Sequence, residues 1–234
     1  LAYGLIFNTV QANSVANALR YAFACPEWLT GIVLSLFVLY TISAGLKGIA
    51  RLMQWMVPVM ALLWVGASLF VAALHADQVP GIITTIFKSA FGWREAASGA
   101  LGYTFSQALM SGFQRGMFSN EAGMGSTPNA AAAASSWPPH PAAQGIVQMI
   151  GVFTDTIIIC SASAMILLLA GPVPHSSENG GIQILQQALV NLTGSWGAGF
   201  VAIVLILFAF SSIVVNYLYA ENNLIFLKLD SRAA

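Results

Sequence analysis

Three stretches near the start of the chain, Leu1 to Leu19, Trp28 to Leu46 and Leu52 to Leu74, contain no Asp, Glu, Lys or Arg at all. A membrane-spanning helix needs about 20 consecutive, mostly apolar residues, and each stretch is close to or beyond that length. Composition agrees: 58% of the 234 residues are hydrophobic and 7% are charged, against roughly 25% charged in an ordinary soluble domain. Eight Lys plus Arg balance eight Asp plus Glu, so no basic field exists to hold nucleic acid. The mean hydropathy is +0.78. An all-α integral membrane protein is the expectation. The chain opens at Leu1 with no basic stretch ahead of the first apolar run, so that run is expected to span rather than to be a signal peptide, and the chain to be a fragment lacking flanking spans. Cys25 and Cys160 lie far apart and match no metal or redox spacing, which makes buried free thiols the expectation.

The few charges divide the rest. Arg20 and Lys47 are expected to stop the first two spans, and Pro58 to kink the third. His75 to Glu95 is a polar connection with a short surface helix, followed by a segment from about 101 to 136 that changes character midway. Its polar, Gly-containing centre, Ser119 to Ser126, precedes the run Ala130 to Ala134. Glycine costs about 1 kcal/mol against alanine in a helix, so the centre is where the helix should unwind. Ser126 or Thr127 is expected to cap the second half, with Pro128 in its first turn. Gln144 to Ala170 and Trp196 to Ala220 complete about six spans, with Ile182 to Leu192 read as a short interfacial helix. Lys47, Arg51, Lys228 and Arg232 fall on one side and Arg20, Lys88 and Arg94 on the other, which places the first group in the cytoplasm.

Three ionisable groups lie in apolar surroundings: Arg115, Glu121 and Asp155. A charge at membrane depth costs at least ~2.5 kcal/mol, so each needs a partner or a function. Arg115 and Glu121 flank the break and can pair across it, as a gating device or as a purely structural one. Asp155 with Thr154 and Thr156 forms an oxygen cluster suited to a hard cation such as sodium; the alternative is a hydrogen-bonded aspartate at a span end. Gln11, Asn13, Ser14 and Asn17 give the first span a polar face, and Ser211, Ser212 and Asn216 do so in the last. Such groups either glue helices together or line a site. A discontinuous helix offering free N–H and C=O groups is the site logic of secondary transporters.

The stretch Gly116-Met117-Phe118-Ser119-Asn120-Glu121-Ala122-Gly123-Met124-Gly125-Ser126 strongly resembles the signature of the alanine or glycine:cation symporter family, the sodium:alanine symporters. The likeness continues through Ala130 to Ala134, Gln144-Gly145, Asp155-Thr156 with Cys160, and Phe208 to Ser212, so it covers essentially the whole chain. It implies a LeuT-type fold of two inverted repeats. Residues 1–234 would form one membrane transport domain resembling core helices three to eight, with the segment 101–136 as the broken sixth. It also implies import of alanine or glycine with sodium, or with protons, across a bacterial inner membrane, without enzymatic activity or a bound cofactor. Carried over by position, Phe118, Ser119 and Asn120 would face the substrate from the break, Gln11 from the third helix, and Ser212 and Asn216 from the eighth. Asn216 departs from relatives that carry a bulky aromatic there. Asp155, Thr156 and Ser211 would serve sodium. The implied partners are the amino acid, the lipid bilayer and the missing transmembrane helices of the same protein. Two other classes were weighed against this: an intramembrane serine hydrolase using Ser126 with a histidine, which lacks a base on a facing span, and a channel or structural subunit, for which no charged pore ring is present.

Overall fold

The computed structural model describes residues 2–90, 110, 112, 119, 125–135, 137–171 and 181–227. All regular structure among these residues is helical, as expected for a chain that must satisfy its backbone N–H and C=O groups internally once it enters lipid. The chain divides into two compact units, Leu1–Ala67 with Ala170–Ala234, and Ser68–Leu169.

In the first unit a π-helical turn, Ala2–Phe7, runs into α1 (Asn8–Phe23). α2 (Glu27–Ser43) follows, then the start of α3 (Gly45–Leu74), and later α8 (Gly181–Thr193) and α9 (Trp196–Phe226). The turn from α1 to α2 is sharp because Ala24 adopts a left-handed conformation, φ 53°, and returns its N–H to the carbonyls of Arg20 and Leu19. Pro26 then precedes the first residue of α2, and Arg20 Nη1 pairs with Glu27 Oε1 at 2.7 Å across the turn. Gly45, at φ +69°, starts α3. The helix therefore begins ahead of Lys47 and carries Lys47 and Arg51 in its early turns, so a glycine turn and not the charge sets this boundary. Pro58 lies inside α3 without ending it.

α9 is the spine of this unit. It packs on α1, α2, α8 and the π-helical turn. Small residues allow the approach: Ala16 and Ala18 of α1 and Ala198, Ala202 and Ala209 of α9 are all buried. A second cluster joins α2, α3 and α9 through Leu34, Ile49, Phe210, Ile213 and Val214. α8 buries Gln183, Gln186, Ala188 and Leu189 against α1 and α9. Its fully buried Gln186 donates from Nε2 to the carbonyls of Ala18 and Ala198, both at 3.1 Å. The polar residue is what ties the helix down, because its two amide hydrogens bridge two neighbours at once.

The second unit contains the end of α3, the exposed α4 (Val79–Ala90), α5 (Ser126–Ala133), and α6 (Pro141–Thr154). α6 continues through a π-helical turn, Asp155–Ile159, into α7 (Cys160–Ala170). α5 begins at Ser126 behind Gly125, φ 85°, so Ser126 is the first helical residue and not the cap. The Asn129 side chain donates to the Gly125 carbonyl at 3.1 Å. α6 is capped by His140, whose Nδ1 accepts from the N–H of Ala142, with Pro141 in the first turn. α6 therefore starts at the Pro-rich turn, ahead of Gln144. Ser68 Oγ donates to the Ala162 carbonyl at 3.0 Å, linking α3 to α7.

Among the described residues three helices are long and apolar enough to cross a membrane: Gly48–Leu74, Pro141–Ala170 and Trp196–Phe226. Of the other expected spans, Glu27–Ser43 forms a shorter apolar helix. The first is helical from residue 2 to 23 but diluted by Asn8, Gln11, Asn13 and Asn17, and most of 101–136 lies outside the described residues. Neither cysteine is fully buried; both are free and half-buried, because each sits at the edge of its helix packing.

The closeness of α8 and α9 makes a direct prediction. A Cβ built on Gly197 would lie 2.9 Å from the backbone carbon of Leu189 and 3.0 Å from Thr193 Oγ1, whereas one on Gly31 meets nothing within 4 Å. Gly197→Ala should lower the melting temperature of the detergent-solubilised protein, with a cost of about 1–3 kcal/mol. Gly31→Ala should leave it unchanged or raise it slightly.

Candidate functional site

The expected ion and substrate residues fall into both units. In the second, α6, the π-helical turn and α7 form one 30-residue run from Pro141 to Ala170, and Asp155 stands at its middle, not at an end. Position decides the chemistry here, since a carboxylate at the centre of an apolar helix has no headgroup water within reach. Its partner is Ser119, whose Oγ donates to Asp155 Oδ2 at 2.7 Å and lies 3.0 Å from Cys160 Sγ. The serine has one hydroxyl proton. With that proton on the carboxylate, the Cys160 thiol is the donor to Ser119 Oγ, which gives a directed chain from thiol to hydroxyl to carboxylate.

The π-helical turn explains how one hydroxyl reaches both groups. In a regular α-helix, residues five apart point about 140° away from each other. Here the N–H of Cys160 bonds the carbonyl of Asp155, closing a wider i→i+5 ring that brings the two side chains round to the same partner. Such turns are rare and occur often at functional sites. Thr156 follows on the same turn and is half-buried. The donor set is oxygen with one thiol. Among the described residues no group of three or more His, Cys, Asp and Glu side chains is gathered that could hold a metal ion. Phe118, Asn120, Arg115 and Glu121 lie outside the described residues.

In the first unit the expected polar residues separate into two kinds. Asn216, 3% exposed, donates from Nδ2 to Asn8 Oδ1 at 3.0 Å and so joins α9 to α1. Ser211 is buried and donates to the Phe208 carbonyl at 2.8 Å. Each of the two thus donates one hydrogen bond within the unit. Gln11 and Ser212 are half-buried and take no hydrogen bond from the described residues, which leaves their polar atoms available to a ligand. Ser14 bonds back to the Val10 carbonyl, and Asn13 is exposed.

Sequence reasoning missed Asn8 and Gln186. Asn8 stands three residues before Gln11 on the same polar face, a spacing that could have revealed it. Gln186 gave a weaker signal, three residues after Gln183 in an otherwise apolar helix; its Oε1 is buried without a partner. Cys160 falls beside Asp155-Thr156 in the family likeness, but its link to Asp155 through Ser119 depends on the π-helical turn. Of the histidines considered as bases for Ser126, His140 caps α6 and His75 Nδ1 lies 3.1 Å from the Val71 carbonyl.

Comparison with known proteins adds the following. A family model described as the sodium:alanine symporter family matches residues 1–234. The chain is 62% identical over 234 residues to a protein of Escherichia coli (strain K12) named "Uncharacterized transporter YaaJ", covering 100% of this chain and 49% of that protein. It is 43% identical over 232 residues to the "Probable sodium/glutamine symporter GlnT" of Bacillus subtilis (strain 168), with 99% and 47% covered. It is also 34% identical over 240 residues to the "Sodium/proton-dependent alanine carrier protein" of Bacillus sp. (strain PS3), with 97% and 53% covered. The chain thus spans about half the length of the curated relatives it matches.

The pairing of Asn8 with Asn216 is measurable. In a double-mutant cycle of Asn8→Ala and Asn216→Ala, read by thermal unfolding in detergent, the two changes should couple by about 0.6 kcal/mol and by no more than ~2 kcal/mol, the range for hydrogen bonds between membrane helices. Additive effects would show that the bond contributes nothing.

Proposed function

Because the chain belongs to the sodium:alanine symporter family, we propose that it is part of a secondary transporter that imports a small neutral amino acid, alanine or glycine, together with sodium. The whole-chain family match is the observation that carries this reading. The family is one of transporters and not of enzymes. Three membrane-crossing helices agree with a multi-pass membrane protein, and a bacterial inner membrane is its proposed location. The proposed architecture is the LeuT type, in which these residues supply the third to eighth helices and the remaining length of the protein supplies the others. Transport then proceeds by alternating access, with substrate and ion held near mid-membrane while the helices around them rock.

The chemistry available supports each role. A zwitterionic amino acid needs donors for its carboxylate and acceptors for its ammonium group. Gln11 and Ser212, without a hydrogen bond among the described residues, and Ser119 are proposed to contact the substrate, together with Phe118 and Asn120. Asn216 is proposed to face the substrate with them, its Nδ2 held by Asn8. Asp155 and Thr156 are the proposed sodium ligands, with Ser211 at a second position. The chain from Cys160 through Ser119 to Asp155 also suits a proton, which makes H⁺ the second candidate for coupling. Arg115 and Glu121 are proposed to pair across the break in the helix and hold it open.

For the full-length protein in vesicles, uptake of labelled alanine should collapse when the sodium gradient is removed. Uptake that persists on a proton gradient alone transfers the coupling to H⁺, and absence of uptake for every small amino acid defeats the transporter reading. Asp155→Asn should raise the sodium concentration for half-maximal uptake by roughly tenfold, the loss of one interaction with a charged group. An unchanged sodium midpoint would assign Asp155 to packing.

A further inference from the structure

Ser119 stands between two groups that can each take its hydroxyl hydrogen. Its Oγ donates to Asp155 Oδ2 at 2.7 Å and lies 3.0 Å from Cys160 Sγ, and among the described residues these are the two side chains within hydrogen-bonding distance of it. The π-helical turn Asp155–Ile159 leads into Cys160, whose N–H bonds the Asp155 carbonyl. Carboxylate and thiol are thus spaced by the backbone, and the hydroxyl is the part that can turn. A hydroxyl carries one hydrogen and two lone pairs, and a thiol is both a weak donor and a weak acceptor. The same atoms therefore have two arrangements. In one, Cys160 donates to Ser119 and Ser119 donates to Asp155. In the other, the Ser119 hydrogen points to Cys160 Sγ and an oxygen lone pair faces the carboxylate. At the other cysteine a hydroxyl already approaches sulfur in this way, with Thr30 Oγ1 3.6 Å from Cys25 Sγ.

A bare carboxylate favours the first arrangement, because there it receives the hydroxyl hydrogen at a depth where water does not supply one. A cation on Oδ2 reverses the preference. It repels the hydroxyl hydrogen and attracts the oxygen, and both effects are stronger at low dielectric than in water. The turned hydrogen then needs an acceptor, since an unpaired O–H in hydrocarbon is costly. Cys160 Sγ is in place to accept it.

We propose that Cys160 is a positioning residue for the coupling ion: when sodium binds Asp155, the Ser119 hydroxyl turns from the carboxylate to the Cys160 sulfur and presents its oxygen to the ion. This role rests on Asp155 being the sodium ligand proposed above, and it belongs to a residue that does not touch the ion. No bond breaks and no proton is transferred; the hydroxyl rotates about its C–O bond. Sulfur suits the task because it holds the hydrogen weakly, so that the ion decides the orientation. An alkyl group at this position would leave the hydrogen on the carboxylate, in competition with sodium.

The test compares the full-length protein in nanodiscs, at fixed pH, in sodium chloride and in choline chloride. Infrared difference spectroscopy follows the S–H stretch, which lies in a region clear of other protein bands, and Cys160→Ser assigns the signal. Sodium should move the Cys160 band to higher frequency, because its S–H ceases to donate, and should leave the Cys25 band in place. Binding of radiolabelled sodium to the same samples gives a second readout without uptake. Cys160→Ala should raise the half-saturating sodium concentration about threefold, the worth of one weak hydrogen bond, and Cys160→Ser should restore tight binding. On a Ser119→Ala background, Cys160→Ala should change nothing further, because it acts through that hydroxyl; an equal effect on both backgrounds would assign Cys160 to packing and overturn the proposal. A Cys160 band unmoved by sodium, in protein whose sodium binding Asp155→Asn weakens, overturns the role of Cys160 and leaves the ion reading standing. Sodium binding that Asp155→Asn leaves unaltered defeats the ion reading, and the role of Cys160 with it.

Discussion

A carboxylate at the centre of a 30-residue apolar helix can remain there only if the protein supplies its hydrogen bonds, because the bilayer core supplies none. Asp155 meets that requirement through Ser119, and its neighbourhood is arranged around the need. The helix departs from α geometry at the aspartate, the departure turns Cys160 toward the same serine, and the serine comes from the stretch whose glycines and polar residues disfavour a continuous helix. A regular helix there would leave Asp155 and Cys160 on different faces and the serine bonded to only one of them.

The first unit handles polar groups differently. Asn8 with Asn216, and Gln186 with the carbonyls of Ala18 and Ala198, are cross-helix bonds placed between small side chains that let the backbones come close. In lipid the hydrophobic effect contributes little to joining helices, so such bonds and close packing carry much of the association. What packing does not use is then informative. Gln11 and Ser212 are half-buried and make no hydrogen bond among the described residues, whereas Asn216 and Ser211 each donate one, although the sequence presents all four alike.

The helical class and the long spans in α3, in the run from α6 to α7 and in α9 were legible in the sequence, and so was Asp155 as a charge in need of a partner. The signals were uncharged length and an isolated charge. Boundaries were less legible. Lys47 marked a span end in the charge pattern, but Gly45 sets it. Ser126 looked like a cap, but Gly125 holds that position. In both cases a glycine with positive φ decided where the helix starts, and backbone conformation leaves little trace in a hydropathy pattern.

The sequence by itself determined that this chain lives in a membrane, that its helices follow its uncharged runs, and that a few polar residues among them must matter. Solvation alone enforces those conclusions, because an unpaired polar group in hydrocarbon costs several kcal/mol wherever it lies. Only the tertiary structure decided which polar residues bind one another. Asn8 and Asn216 are 208 positions apart and Ser119 and Asp155 are 36 apart, and no local pattern encodes such partners. Gln186 of α8 likewise has its two carbonyl partners on two other helices. Hydrogen bonds are short and directional, so a partner is known only when the backbones that carry it have been brought together.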